Sequence, residues 1–204
     1  MVVRQEPAAA RACGFGERDR RVIDPPPILE LKVTDPQTGA VDQAELRYSS
    51  HVVQVSLYDD TGTRDVTTMV QPGRRAGRRL TGTLVASPVV AEDEKEQEGC
   101  FFTFSDLSCR MHGSYCLRFI LIRIDPTNQQ PGSSSPVVAS VVSNIFTVYS
   151  AKDFPGVRPS TALTQALKRQ GVTIAVKKGK RSATPKRKED GVEAEDEEEE
   201  AEAE

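Results

Sequence analysis

Short runs that alternate between apolar and polar residues constrain the fold more than any other feature of this chain. In 28–33, the apolar residues Leu29, Leu31 and Val33 lie on one face of an extended backbone, and charged residues occupy the other. The same period of two recurs in 51–57. This alternation is typical of half-buried β-strands. Further extended segments are predicted at 80–86, 100–104, 115–121 and 137–148.

The connections between these runs are rich in turn-forming residues. Asp59-Asp60-Thr61-Gly62 and Pro131-Gly132-Ser133-Ser134-Ser135 are examples. Asp, Gly, Pro and Ser favour tight turns because they either fix or free the backbone, or bond to it locally. Many short strands joined by such turns predict a mostly β fold, an antiparallel sandwich or barrel.

One helix is predicted near the end of this region, at 160–170. Ser160 or Thr161 can cap its first turn, and apolar residues at helical spacing form a stripe along it. Gly171 is placed to end it. The apolar segment after Gly171, residues 172–176, is predicted to be a short strand that returns to the sheet.

The final residues separate their charges into two blocks. Residues 177–188 contain seven bases and no acid, and residues 189–204 contain eleven acids and no base. Blocks of like charge repel themselves, so this segment is predicted to be a disordered tail. Its basic part is typical of a nuclear-localisation signal, the alternative being a charged linker that keeps the chain soluble. The proposed import residues are Lys177, Lys178, Lys180, Arg181, Lys186, Arg187 and Lys188.

The sequence contains no pattern typical of an enzyme, a metal site or a membrane span. Nothing resembles a nucleophile elbow, a phosphate-binding loop or a zinc-binding HExxH helix. No apolar run is long enough to cross a bilayer. No catalytic residue, metal or cofactor is therefore predicted, although a site assembled by the fold around His51 or His112 stays open as an enzyme alternative. The cysteines do not have zinc-ligand spacing and are predicted to be reduced and mostly buried: Cys13, Cys100, Cys109 and Cys116.

Arginines cluster in two loops, and this pattern indicates contact with phosphates or bases. The guanidinium group is planar and donates several hydrogen bonds, which suits phosphate oxygens and guanine edges. The alternative is that these arginines pair with neighbouring acids in solvated loops, or that they form a protein interface. The candidate DNA-binding residues are Arg11, Arg18, Arg20 and Arg21 in the first cluster and Arg74, Arg75, Arg78 and Arg79 in the second.

Three long segments resemble the velvet family of fungal regulators. Residues 2–31 contain Arg-Gln, Ala-Arg, Cys-Gly, Asp-Arg-Arg and Asp-Pro-Pro-Pro in the order of the family's opening segment. Residues 99–121 contain the Phe-X-Phe, Asp-Leu-Ser and Gly-X-Tyr-X-Leu-Arg-Phe motifs of its middle segment. Residues 150–178 resemble its closing segment, with Ser-Ala-Lys-X-Phe-Pro-Gly followed by Ser-Thr-X-Leu and Gln-Gly.

This resemblance implies both a fold and a function. It implies an immunoglobulin-like β-sandwich similar to the DNA-binding domain of Rel factors, here over residues 1–178, with a separate tail over 179–204. It implies a nuclear regulator, shuttling with the cytoplasm, that controls fungal sporulation, development and secondary metabolism. The implied partners are double-stranded DNA, another velvet-domain protein in a homo- or heterodimer, and the nuclear import machinery. The family's basic DNA-contacting segment precedes Asp-Pro-Pro-Pro, where this chain has Arg18, Arg20 and Arg21.

A second function remains open on the sequence alone. The chain is then an adaptor subunit that forms the dimer and carries a partner into the nucleus without contacting DNA. The number of arginines before Pro25 favours DNA binding, whereas Glu17 and Asp19 between them weaken it.

Overall fold

The computed structural model describes residues 1–15, 20–69, 77–127 and 134–176. Within them the chain is mostly β, as predicted, with a short helix early and a longer one late. The elements in chain order are β1 (Val2–Gln5), β2 (Ala9–Arg11), β3 (Ile28–Leu31), α1 (Gln43–Leu46), β4 (His51–Asp59), β5 (Thr68–Met69), β6 (Gly77–Arg78), β7 (Leu80–Thr81), β8 (Val85–Ala86), β9 (Val89–Glu92), β10 (Glu98–Thr103), β11 (Ser108–Cys109), β12 (Gly113–Arg123), β13 (Val137–Val142), β14 (Phe146–Tyr149) and α2 (Ala162–Arg169).

Two sheets form the two layers of the sandwich. The first has the strand order β1-β3-β10-β9, and the second has the order β2-β14-β12-β4-β8, with β13 also paired to β12. Two pairs of two-residue strands, β11 with β7 and β5 with β6, lie outside these sheets. The long strands β12 and β4 pair in register from Tyr115 opposite Asp59 to Arg123 opposite His51, so they form the spine of the second sheet.

The core fills the space between the two sheets. Leu29 and Phe102 from the first sheet and Leu117 and Phe119 from the second are fully buried in one apolar cluster. Phe104 and Phe119 contact across it with ring centroids 5.3 Å apart. The predicted alternation is therefore confirmed, because every second residue of the strands points into this layer.

One strand pair differs from the antiparallel prediction. β14 and β2 are parallel, with Thr147 opposite Ala9 and Tyr149 opposite Arg11. Because these strands come from distant parts of the chain, no tight hairpin constrains them to be antiparallel. The pairing brings the beginning and the end of the domain together.

The predicted helix is present as α2, and its ends have the expected chemistry. Thr161 is the N-cap, with its side chain accepting from the Thr164 N–H. Gly171 has a φ of 88°, and the next residue, Val172, donates its N–H to the Leu167 carbonyl. This is the Schellman arrangement, which turns the chain sharply after the helix.

The segment predicted to be a strand after this helix has no strand pairing, so that prediction is wrong. Val172 and Ile174 are buried, but they pack with α2 against the outer face of the first sheet instead of joining a ladder. The alternating burial that produced the prediction is real. Val172 and Ile174 pack on Phe101 and on α2, so every second residue is buried although the segment makes no strand hydrogen bonds.

Leu167 should be a stability residue, because it is fully buried in this outer cluster with Leu163 and Phe101. Leu167→Ala should lower the free energy of unfolding by roughly 2–5 kcal/mol through lost apolar contact and the cavity left behind. Chemical denaturation followed by circular dichroism measures this. Lys168→Ala, an exposed position on the same helix, is the control. Unchanged stability of the Leu167 variant would contradict the packing described here.

His51 lies buried at the far end of the β4–β12 pair. Its Nε2 is 3.1 Å from Glu45 Oε1, and the ring of Tyr48 contacts it edge-on. Burial lowers the pKa of His51, the nearby Arg123 lowers it further, and the Glu45 carboxylate only partly opposes them. The neutral imidazole is therefore favoured in the folded protein.

Stability should fall as the pH falls below the ordinary histidine pKa of 6.5, because the unfolded chain then binds a proton that the folded chain resists. The free energy of unfolding, measured between about pH 7.5 and about pH 5.5, tests this. His51→Gln should reduce the fall, whereas His112→Gln, at the exposed histidine, should not. Parallel pH profiles for the wild type and the His51 variant would contradict the assignment.

Candidate nucleic-acid interface

The described residues of the first arginine cluster lie on either side of a backbone pairing between Ala9 and Asp24. Asp24 N–H donates to the Ala9 carbonyl at 2.8 Å, and Ala9 N–H donates to the Asp24 carbonyl at 2.9 Å. Just before Asp24, the buried Ile23 donates its N–H to Leu107 O at 2.8 Å. Arg11 lies at the end of β2, where it pairs with Tyr149 of β14, and Arg20 and Arg21 come just before Ile23. The pairing of Ala9 with Asp24 therefore brings these three arginines to one end of the sandwich.

The Asp24 side chain joins this loop to the closing segment of the domain. Asp24 is 3% exposed, and its carboxylate accepts the Arg158 N–H at 2.7 Å. A buried carboxylate requires such donors, because an unpaired charge in the interior is costly. The contact fixes the segment around Val157 beside the arginine loop.

A cavity of about 470 Å³ forms where these two segments meet. Its basic side comes from Arg11, Arg20 and Arg21, all of which were predicted from the sequence. Its apolar side comes from Val22, Phe154 and Val157, with Gly156 between the last two. Three cationic heads beside an apolar wall can hold an anion that also presents a flat or apolar surface, as a nucleotide does.

Arg20 is anchored to its own domain as well as lining the cavity. Its Nη2 lies 3.1 Å from the Asp106 carboxylate and also donates to the Asp106 carbonyl, and its Nε donates to Ser108 Oγ at 3.2 Å. Burial would raise the pKa of Asp106, but hydrogen bonds from the Thr83 N–H and from Arg20 outweigh it and hold that pKa below its usual value. Asp106 is therefore ionised at neutral pH, and the ion pair holds the end of the loop.

Gly82 permits this anchor. A Cβ added at Gly82 would lie 2.5 Å from the Asp106 carbonyl oxygen and 2.7 Å from Arg20 Nη2, and its φ of 113° disfavours any side chain. Nothing larger than glycine fits between the anchored arginine and this turn.

The described part of the second arginine cluster contains one exposed and one inward-facing side chain. Arg78 is exposed at the end of β6. Arg79 donates from Nη1 to the Val66 carbonyl at 3.1 Å, and its guanidinium lies 5.8 Å from the ring centroid of Tyr115. The geometry thus gives Arg79 contacts inside the domain and leaves Arg78 facing solvent.

Phe15 connects the segment after Arg11 with the segment that carries Arg78 and Arg79. A Cβ at Gly77 would lie 3.6 Å from Phe15 Cε1, and the guanidinium of Arg110 lies 5.3 Å from the Phe15 ring centroid. The Arg110 backbone donates its N–H to Arg79 O at 2.9 Å and accepts from the Gly14 N–H at 3.1 Å. The first loop, β11 and the β6–β7 segment therefore form one continuous surface at this end of the sandwich.

Sequence reasoning missed Arg110, because it is a single arginine outside both clusters. Its neighbours in the chain are Cys109 and Met111, and nothing in their pattern indicates a basic surface. Only the tertiary contact with Phe15 places it between the two loops.

Several predicted residues lie outside the described ranges. For DNA binding these are Arg18, Arg74 and Arg75. For nuclear import they are Lys177, Lys178, Lys180, Arg181, Lys186, Arg187 and Lys188, and with them the whole tail boundary at 178 and 179.

The four cysteines are free thiols, and three are buried. Burial raises the pKa of Cys109 to about 12 and that of Cys100 to about 11, so both stay protonated. In the described ranges, no group of three or more His, Cys, Asp or Glu side chains could hold a metal ion. Nor does that part of the chain contain a helix long and apolar enough to span a membrane.

Fold and surface together define a class: a two-layer β-sandwich with a polyproline-flanked arginine loop at one end. Comparison with known proteins gives the family. The family model described as velvet factor matches residues 1–76 and 68–181, which is most of the chain. The chain belongs to the velvet family, as the motifs around Asp-Pro-Pro-Pro predicted.

Curated relatives have developmental names. The chain is 52% identical to the sexual development regulator VELC of Pyricularia oryzae over 87% of its length, covering 40% of that protein. It is 48% identical to the spore development regulator vosA of Beauveria bassiana over 91% of its length, covering 68% of that protein. A more distant relative, 27% identical over 86% of the chain and 60% of its own length, is velvet complex subunit 2 of Gibberella moniliformis.

Proposed function

We propose that this chain is a non-catalytic regulator of fungal development that binds DNA through the arginine surface and acts as a dimer with a velvet-domain partner. The observation that carries the proposal is the continuity of the two arginine clusters across Phe15. The developmental role is supported by the names of relatives at about half identity. The family resemblance extends it to sporulation and secondary metabolism.

Dimerisation is supported by a relative's name. The relative named velvet complex subunit 2 is part of a complex by that name, and it shares the velvet domain with this chain. The partner proposed here is accordingly a protein with the same domain, either a second copy or another member of the family.

Physical chemistry explains why this surface suits DNA. The pairing of Ala9 with Asp24 fixes the backbone next to Arg11 and Arg21 before any ligand arrives, so less conformational entropy is lost there on binding. The Asp106 carboxylate neutralises part of the charge of Arg20 while fixing its position. Arg11 and Arg21 line the same cavity as Arg20, and Arg78 is exposed on the second cluster. Together these arginines place positive charge at this end of the domain, and positive charge attracts phosphates.

Replacing Arg21 should weaken DNA binding without changing the fold. DNA is first selected from a random pool with the full chain, and binding is then measured by fluorescence anisotropy across a salt series. Arg21→Ala should flatten the log–log salt slope by about one unit if it contacts phosphate, or relax one base position if it contacts a base. Arg11→Ala should have an effect of the same kind.

Arg47→Ala is the matched control. Arg47 is exposed and pairs with Glu98. It directly follows α1, and Glu45 of α1 forms an ion pair with Arg123 at the end of β12. The arginine surface meets the opposite end of that strand, at Tyr115. If the Arg21 variant binds the selected DNA as tightly as the Arg47 variant, the DNA surface lies elsewhere. A chain that dimerises but binds no DNA at any salt concentration fits the adaptor function instead.

Nuclear entry is proposed to depend on the basic run at 177–188. Replacing its seven bases with Ala should reduce nuclear accumulation of the fluorescently tagged chain, since import receptors bind such clusters through their charge. Replacing seven of the acids in 189–204 with Gln is the matched control and should leave accumulation unchanged. Full nuclear accumulation of the base-free variant in cells without other velvet proteins would contradict this proposal.

A further inference from the structure

The edge strand β13 lacks the charged side chains that usually discourage an edge from pairing with another strand. From Pro126 to Ala151 the chain carries no Asp, Glu, Lys, Arg or His, although 28% of all residues are charged. β13 lies within this stretch and pairs along one side only, with β12. Exposed edges in monomeric proteins usually carry charges that discourage strand addition. An uncharged edge therefore needs an explanation.

The backbone of β13 has groups that point away from β12. Ser143 donates its N–H to Leu117 O at 2.8 Å, and Val141 lies opposite Phe119 two residues back. Because antiparallel ladders alternate, the N–H and C=O groups of Ser140 and Val142 point away from β12. Within the described ranges, no backbone group pairs with them on that side. The edge is open at these positions.

The side chains of β13 divide between the core and solvent. Ala139 and Val141 pack against the main core. Val138 and Val142 face outward and are 53% and 45% exposed, and Ile145 just beyond the strand is 59% exposed. The open backbone edge is thus flanked by apolar side chains, the combination found where strands add to a sheet.

β9, the edge strand of the first sheet, has side-chain cover at one of its residues. The Gln170 side-chain amide accepts the Glu92 N–H at 2.8 Å and donates to Glu92 O at 2.7 Å, so it occupies the outer hydrogen-bonding groups of Glu92. On β13 the only comparable contact among described residues lies past its end, where Asn144 N–H donates to the Glu6 carboxylate at 2.9 Å. Among the residues that the structure describes, none makes such a contact with the segment from Val138 to Val142.

We propose that β13 is a dimer interface, to which a second copy of this chain adds its own β13 in antiparallel orientation. The inference rests on the proposed function for the existence of a dimer. The partner is a second copy of this chain, because two uncharged edges can pair without burying a charge. Pairing across a two-fold axis near Ser140 places Val138 of one copy opposite Val142 of the other. It also gives the outward backbone groups of each strand a partner.

This interface leaves the arginine surface accessible. β13 pairs with the Arg118–Ile122 half of β12, whereas the arginine surface meets the Gly113–Tyr115 end. A dimer through β13 therefore carries two arginine loops related by a two-fold axis. Such an arrangement matches DNA sites with two inverted half-sites.

The test is sedimentation equilibrium of the full chain over a concentration series. The wild type should dimerise, and Val142→Lys should weaken the dimer at least about tenfold, because two like charges then face the interface. Val90→Lys, at a valine 40% exposed on the edge strand of the other sheet, is the control and should dimerise normally. Ser140→Pro should also weaken the dimer, because proline lacks the N–H that points away from β12. The hydrogen bonds between β13 and β12 do not use that N–H, so they are kept. Circular dichroism checks that each variant is folded.

Three results would overturn the proposal. The first is a wild-type chain that stays monomeric at all concentrations, including one that pairs only with a different velvet protein. The second is a folded Val142→Lys variant that dimerises like the wild type, and the third is an equal loss in the Val90→Lys control. A dimer that depends on Val142 but binds no DNA would instead support this interface and contradict the DNA-binding function.

Discussion

The backbone pairing between Ala9 and Asp24 is the constraint on which the functional end of this protein depends. It joins a strand of the second sheet to the residue that precedes the Pro25-Pro26-Pro27 run, so Arg11 on one side of the pairing and Arg21 on the other are held near each other. Asp24 then uses its buried carboxylate to hold Arg158 of the closing segment. Without this junction the cavity beside Arg11 and Arg21 would have no second wall.

A second network locks the first sheet to the closing helix. Gln5 at the end of β1 donates to Thr164 Oγ1 at 3.0 Å and to the Pro26 carbonyl at 2.6 Å, and Thr161 donates to its amide oxygen. Gln5 and Thr164 are buried, so these hydrogen bonds replace water that neither side chain can reach. The same contacts bring α2 beside the proline run. Helix, proline run and arginine loop therefore form one connected unit, although they come from opposite ends of the chain.

The layered β architecture was predictable, because burial on one face makes apolar residues recur at every second position, as in the strand Ile28–Leu31. The capping of α2 was equally legible, since Thr161 and Gly171 mark both ends. The segment at 172–176 shows the limit of that reasoning, because packing on α2 produces the same alternation as a strand. Arg110 and the inward contacts of Arg79 were not predictable, because both depend on residues distant in sequence: Phe15 for Arg110, and Val66 and Tyr115 for Arg79.

The salt dependence of DNA binding by the full chain tests the central claim most directly. If the arginine surface neutralises phosphates, the observed association constant falls with salt along a log–log line whose slope is about −0.9 for each contact. A slope of about −3 or steeper, reduced by the combined Arg11→Ala and Arg21→Ala change, is the result expected from three or more contacts. Binding that is insensitive to salt, or a slope that this double change leaves as it was, would contradict the account.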